Sequence, residues 1–200
     1  MSEKQIVIDG WNKIGPIYNS NRNKEKINGE LERYIKLLPK KARVLDVGSG
    51  SGVPVAKYLT NAGLDVVGID ISDTMINMAR ENVPGAKFIN MNMNHIKFPD
   101  NSFDGIISVF ALFHVPKRNH PMIFKKFHSL LKSGGILLIN TGISESEGIS
   151  NFFGVPMFWS NHKPEKTLQY VKEAGFSIIF EGILLRGGEL QYWVFAQNEK

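Results

Sequence analysis

The chain has no cysteine among its 200 residues. That excludes disulfides, thiolate nucleophiles and cysteine-ligated metals. No apolar run approaches the roughly 20 residues that a membrane-spanning helix needs. The longest, around Gly105 to Val115, reads as a buried strand running into a loop. The opening residues Met1-Ser2-Glu3-Lys4-Gln5 lack the charged-then-apolar layout of a secretion signal, so a cytoplasmic chain is expected. The five histidines show no metal-ligand spacing with carboxylates, and no metal is expected. No Ser/His/Asp arrangement points to a hydrolase. Repeats, low-complexity tracts and linkers are missing too, which leaves one domain over residues 1–200 as the expectation.

What is present is an ordinary globular composition, 42% apolar and 22% charged, at a length that can bury a proper core. The net charge of +5 permits a nucleic-acid partner without demanding one. The basic residues are scattered: Lys40, Lys41 and Arg43 before a strand, Lys117 and Arg118 in a loop, Lys125 and Lys126 on a helix. No stripe of Arg alternates with aromatics, so these read as solvated faces, and nucleic acid is possible but not favoured.

The most informative stretch is Val44-Leu45-Asp46-Val47-Gly48-Ser49-Gly50-Ser51-Gly52. An apolar run passes an acid, three glycines follow at alternate positions, and a helical pattern then begins. Glycine lets backbone approach a ligand closely, and a strand-to-helix crevice is the usual ligand site of an open α/β sheet. About twenty residues on, Val66-Val67-Gly68-Ile69-Asp70 is a second strand ending in a second acid, a spacing that suits the two hydroxyls of a ribose. A nicotinamide dinucleotide fold also uses glycines and an acid. Its fingerprint is G-x-G-x-x-G, whereas Val53 stands here at the last glycine's place. A pyrophosphate would also be repelled by a carboxylate such as Asp46, which a sulfonium and ammonium ligand tolerates.

The segment resembles the first motif of the class I S-adenosylmethionine-dependent methyltransferases. The resemblance covers residues 40–140 most strongly. It implies a doubly wound α/β fold: a mostly parallel seven-stranded sheet with a C-terminal antiparallel hairpin and helices on both faces. It also implies S-adenosyl-L-methionine as cofactor, with Gly48, Ser49, Gly50 and Gly52 in the loop that cradles its methionine part. Asp46 would hold the loop, Asp70 would bind the ribose, and Ile71 and Met75 would pack on adenine or ribose. Asn92 stands where the family has an acid facing the adenine amine, and could accept that bond through its carbonyl oxygen. Met93 would wall the ring, Val109 and Phe110 would form the floor, and Tyr18 would fold over the methionine end. His114 and His162 are the candidate bases for an acceptor's proton. The Asn/Asp-Pro-Pro-Tyr/Phe motif of enzymes that methylate planar amino nitrogens is missing; that position reads Ser108-Val109-Phe110-Ala111. The implied reaction is in-line methyl transfer to a small-molecule acceptor. RNA or protein methylation, or a catalytically inactive cofactor-binding regulatory protein, are the alternatives.

With that resemblance, the chain is expected to divide into an N-terminal lid and helix segment (1–40), a cofactor-binding core (41–140), an acceptor-side segment (141–162) and a C-terminal helix and hairpin (163–200). Helices are expected over Arg22 to Leu38, Pro54 to Gly63, from Ser72, over Pro121 to Lys132 and over Pro164 to Ala174. Strands are expected at Arg43 to Val47, Asp65 to Ile69, Ala86 to Asn90, Asp104 to Val109 and Ile136 to Asn140. Phe176 to Leu185 and Leu190 to Ala196 should form the hairpin. Thr141 to Asn161 reads as a long irregular segment carrying bulky aromatics, with the N-terminal segment and the loop after strand four as the other walls of an acceptor pocket.

Overall fold

The computed structural model describes residues 1–21, 27–186 and 188–199. Two helices open the chain, α1 (Glu3–Asn21) and α2 (Asn28–Lys36). β1 (Arg43–Val47), α3 (Val55–Asn61), β2 (Asp65–Asp70), α4 (Asp73–Asn82) and β3 (Lys87–Asn90) follow. Next come β4 (Phe103–Ser108), α5 (His120–Leu130) and β5 (Leu131–Thr141). The last third holds β6 (Ser146–Phe152), β7 (Val155–Asn161), α6 (Pro164–Glu173), β8 (Phe176–Arg186) and β9 (Glu189–Asn198).

Seven strands form one sheet in the order β3-β2-β1-β4-β5-β9-β8. The first five are parallel, and β9 inserts antiparallel between β5 and β8. The chain winds outward from β1 to β3, then returns to place β4 on β1's other side. That reversal opens a crevice at the carboxyl ends of β1 and β4, where open α/β sheets take their ligands.

Alternation along each strand builds two cores. Leu45, Val67, Ile106, Leu137 and Val194 face Phe124 and Phe127 of α5 and Val171 of α6. Their neighbours Val44, Val66, Ile107, Leu138 and Trp193 face Leu31 and Tyr34 of α2, Leu59 of α3 and Ile76 of α4. Burial on both faces is why the parallel strands read as near-continuous apolar runs. Ser72 caps α4 by accepting the Met75 N–H at 3.1 Å.

Three expectations are corrected. The helix expected over Arg22 to Leu38 is observed as Asn28–Lys36; residues 22–26 lie outside the described residues, as does Gly187 of the last turn. The helix before β5 stops at Leu130, because Leu131 already pairs with Phe103 of β4. The segment 141–161 is ordered: β6 and β7 pair from Ser146↔Asn161 to Phe152↔Val155. Phe153 and Gly154, at φ 51° and 83°, make the two-residue turn, as a tight hairpin with both central residues left-handed requires. No periodicity marks α1 in the sequence. It packs on β7 through Val7, Ile14, Val155, Met157 and Phe158, a third cluster outside the main sheet.

Candidate active site

The glycine loop is tied to the end of β2. The Gly48 and Ser49 amides donate to the Ile69 carbonyl at 2.8 and 3.0 Å. The Gly50 amide donates to Asp70 Oδ2 at 2.9 Å, and the Ser72 amide to Asp70 Oδ1 at 2.9 Å. Burial pushes the Asp70 carboxyl above its usual range, and the bonds from Ser72 and Gly50 oppose that. A carboxylate offers about four lone-pair sites, so two backbone bonds leave capacity for a ligand.

Asp46, Gly48, Ser49, Gly50 and Asp70 line one cavity at the crevice. Ile71 and Met75 border it after β2, Asn92 and Met93 after β3, and Val109 and Phe110 after β4. Tyr18 and His114 border it too. Lys4, Val7, Trp11 and Tyr18 recur along one face of α1, so this helix forms a wall. Asn12 and Asn19 fasten it: their Oδ1 atoms accept from Ser72 Oγ and Ser51 Oγ, each at 2.7 Å.

Two expected residues stand elsewhere. A Cβ on Gly52 would meet Phe88 and Val83 at 3.1 Å, so this glycine packs on the core and not on the cavity. His162 contacts His120 and Tyr170 edge-on, and its Nε2 donates to the Lys117 carbonyl at 3.1 Å. It anchors a loop and lines neither cavity. Asn92 is on the wall, but its Oδ1 already accepts the Asn94 amide at 2.9 Å and Asn94 Nδ2 at 3.1 Å. Both lone pairs expected to meet an adenine amine are thus engaged within the turn.

A second cavity of about 470 Å³ adjoins the first and shares Trp11, Tyr18, Phe110 and His114 with it. Phe113 belongs to the loop after β4, and Phe152, Phe153, Trp159 and Asn161 to β6, β7 and their turn. Glu189 and Gln191 of β9 complete it; nothing in the sequence marked them, because a strand assignment alone does not tell which end meets a cavity. Phe110 sits at φ 57°, a conformation side chains rarely adopt, and its amide donates to Asn140 Oδ1 at 2.6 Å. Asn140 thereby fixes the shared floor.

His114 is buried between Trp11, Phe113 and Trp159, with ring centroids 4.6–5.3 Å away. Its Nδ1 lies 3.0 Å from the Phe158 carbonyl. A carbonyl only accepts, so Nδ1 carries the hydrogen and Nε2 the lone pair. Burial lowers its pKa to about 4, against that one bond, and Nε2 has no hydrogen-bond partner. Among the described residues no group of three or more His, Asp or Glu could share a metal ion, and no helix is long and apolar enough to cross a membrane.

The core and this site match known proteins. A family model described as a methyltransferase domain matches residues 45–139. Phosphoethanolamine N-methyltransferase of Plasmodium falciparum is 37% identical over 120 residues, 56% of this chain and 45% of that protein. Phosphoethanolamine N-methyltransferase 3 of Arabidopsis thaliana is 33% identical over 67% of this chain and 28% of its own length. The chain therefore spans less than half of either relative. Magnesium protoporphyrin IX methyltransferase from Synechocystis PCC 6803, solved with bound S-adenosylhomocysteine, shares the fold at a TM-score of 0.78 and 18% identity, over 99% of this chain and all of that one. The glycine loop's resemblance thus holds across the matched core: residues 45–139 carry a methyltransferase domain, and the sheet is that of the class I S-adenosylmethionine-dependent methyltransferases.

Proposed function

We propose that the chain transfers the methyl group of S-adenosylmethionine to a small organic acceptor held in the second cavity. The observation that carries this reading is the pair of adjoining cavities with Phe110, His114, Trp11 and Tyr18 on the wall between them. The first cavity fits the cofactor. Gly50 has open space where a Cβ would stand, beside the Asp70 carboxylate, so a ligand can lie against bare backbone. Two carboxylates, Asp46 and Asp70, suit a ligand with positive groups. When bound, the cofactor supplies an electrophilic methyl group.

The chain's own residues do the rest. Asp70 takes ribose hydroxyls and Gly48, Ser49 and Gly50 follow the methionine part. Met75, Ile71 and Met93 cover the apolar faces. Phe110, locked by Asn140, and Tyr18 set the direction from which an acceptor approaches, since in-line displacement rewards alignment above all. His114, neutral and with its lone pair on Nε2, receives or hydrogen-bonds the acceptor's proton.

The glycines separate binding from folding. Gly50→Val puts a side chain into open cavity space at φ 53°, so S-adenosylhomocysteine binding should vanish while the strain costs about 1–2 kcal/mol of stability. Gly48→Ala drives a Cβ to 2.3 Å from the Ala111 Cβ at φ 76°, and should destabilise the fold by about 2 kcal/mol or more. Calorimetric titration and urea unfolding of both variants check this pair. The function itself is tested by following S-adenosylhomocysteine release in the presence of a fractionated small-molecule extract, with RNA and protein extracts in parallel. Turnover confined to the RNA or protein arm rejects the small-molecule reading, and cofactor binding without turnover in any arm rejects catalysis.

A further inference from the structure

The second cavity has chemistry of its own. The selectivity inferred for it rests on the proposed function, in which it holds the methyl acceptor. Its walls are Trp11 and Tyr18 from α1, Phe113 from the loop after β4, and Phe152, Phe153 and Trp159 from the β6–β7 hairpin. These rings pack edge-on or tilted at centroid distances of 4.9–6.0 Å, a continuous aromatic lining drawn from three parts of the chain. At about 470 Å³ the space suits a ring compound better than a two-carbon amine. Aromatic walls favour a ring that meets them edge-on or offset. Among the described residues, no Lys or Arg lines this cavity to receive a phosphate.

Asn21, Asn161, Glu189 and Gln191 also line this cavity, but His114 is the buried polar residue on the wall shared with the first cavity, where the methyl group would be delivered. The Phe158 carbonyl fixes the tautomer of His114, so the imidazole presents a lone pair at Nε2, an acceptor with no protein partner. A buried acceptor left without a partner is satisfied by a ligand's donor. Both a hydroxyl and an ammonium donate. They differ in what remains: a hydroxyl oxygen keeps a lone pair while its hydrogen is donated, whereas an ammonium nitrogen has none. To react, an ammonium must first lose its proton. A hydroxyl reacts from the state in which it binds, because its oxygen keeps a lone pair while its hydrogen rests on Nε2.

We propose that the second cavity binds a neutral aromatic ring carrying a hydroxyl group, with the O–H donating to His114 Nε2, and that this hydroxyl is the methyl acceptor: its oxygen would bond the methyl carbon as that carbon's bond to sulfur breaks, S-adenosylhomocysteine would be the leaving group, and the proton would pass to Nε2. Selectivity thus departs from the phosphorylated amine named for the chain's relatives.

The test is calorimetric titration of the full chain, saturated with S-adenosylhomocysteine, using 2-naphthol, naphthalene, phenethylamine and phosphoethanolamine as probes. The expected result is that 2-naphthol binds, about tenfold more tightly than naphthalene, and that the two amines do not. In His114→Phe the advantage of 2-naphthol over naphthalene should disappear while the ring still binds. Phe153→Ser, at a half-exposed turn residue whose loss leaves the core intact, should weaken 2-naphthol and naphthalene alike. Binding of phosphoethanolamine or phenethylamine in place of 2-naphthol overturns the proposal, as does binding of no probe. If S-adenosylhomocysteine itself fails to saturate the chain, the methyltransferase reading falls first, and the two failures are told apart at that step.

Discussion

Asp70→Ala lowers the affinity for S-adenosylhomocysteine by about 10- to 100-fold, the expected result if Asp70 grips the ribose. A hydrogen bond to a charged group contributes about 1.5–3 kcal/mol, and its removal falls in that range. The carboxylate has two duties here. Each oxygen already holds a backbone amide, Gly50 on one side and Ser72 on the other, so it also fixes the loop and the start of α4. Alanine removes both duties, and its loss of affinity therefore comes with some loss of stability. Asp70→Asn separates them. Its oxygen still accepts one amide, but the charge is gone, and its affinity should lie between those of Asp70→Ala and the parent. Calorimetry at constant pH, with unfolding midpoints measured beside it, decides the matter. Parental affinity in Asp70→Ala would mean that the ribose does not lie at this carboxylate.

The parts of the molecule that are legible in sequence are those whose cause is local. Strands buried on both faces must be apolar throughout, which makes β1, β2 and β4 readable. The glycine loop and Asp70 are readable because tight backbone and a strand-end acid leave a spacing. The helix α1 has no such signature. Gly10, Gly15 and Pro16 lie inside it, and its amphipathicity is weak. Its order comes from tertiary packing: a Cβ on Gly10 would stand 2.7 Å from Met157 Cε, so the glycine marks a close approach to β7. The β6 strand is hidden for the opposite reason. Nearly all of it is exposed, so no alternation is imposed on its sequence, and only the Phe153-Gly154 turn hints at a hairpin. The pattern also cannot separate the three glycines of the loop, since whether Gly52 faces ligand or Phe88 depends on packing. The same holds for His114 and His162: both lie in aromatic-rich stretches of the chain, yet only His114 reaches the cavities.

The second large effect is on stability against acid. Lowering the pH from 7 to 5 should remove about 3–4 kcal/mol of folding free energy through two histidines. Burial lowers His114 and His120 to about 4 each. In the unfolded chain each returns to about 6.5. Between these values the unfolded state binds more protons, so stability rises with pH across the window. The loss begins as pH falls through about 6.5 and is complete for these groups near 4. Each accounts for about 2 kcal/mol by pH 5. The structural reason is the same at both sites. His120 Nε2 donates to the Leu112 and Val115 carbonyls at 3.2 and 3.1 Å, while its buried Nδ1 has no partner. A second proton would place a charge there with nothing to receive it. The two residues are linked in structure, because the carbonyls that His120 holds lie on either side of His114 at its short helical turn. His120→Gln should therefore be less stable at pH 7, having lost those bonds, yet show about half the parent's pH dependence. Urea unfolding of both proteins at pH 7.0 and 5.0 measures this, and a parent whose stability is flat between the two values would show that the folded chain carries these imidazoles protonated.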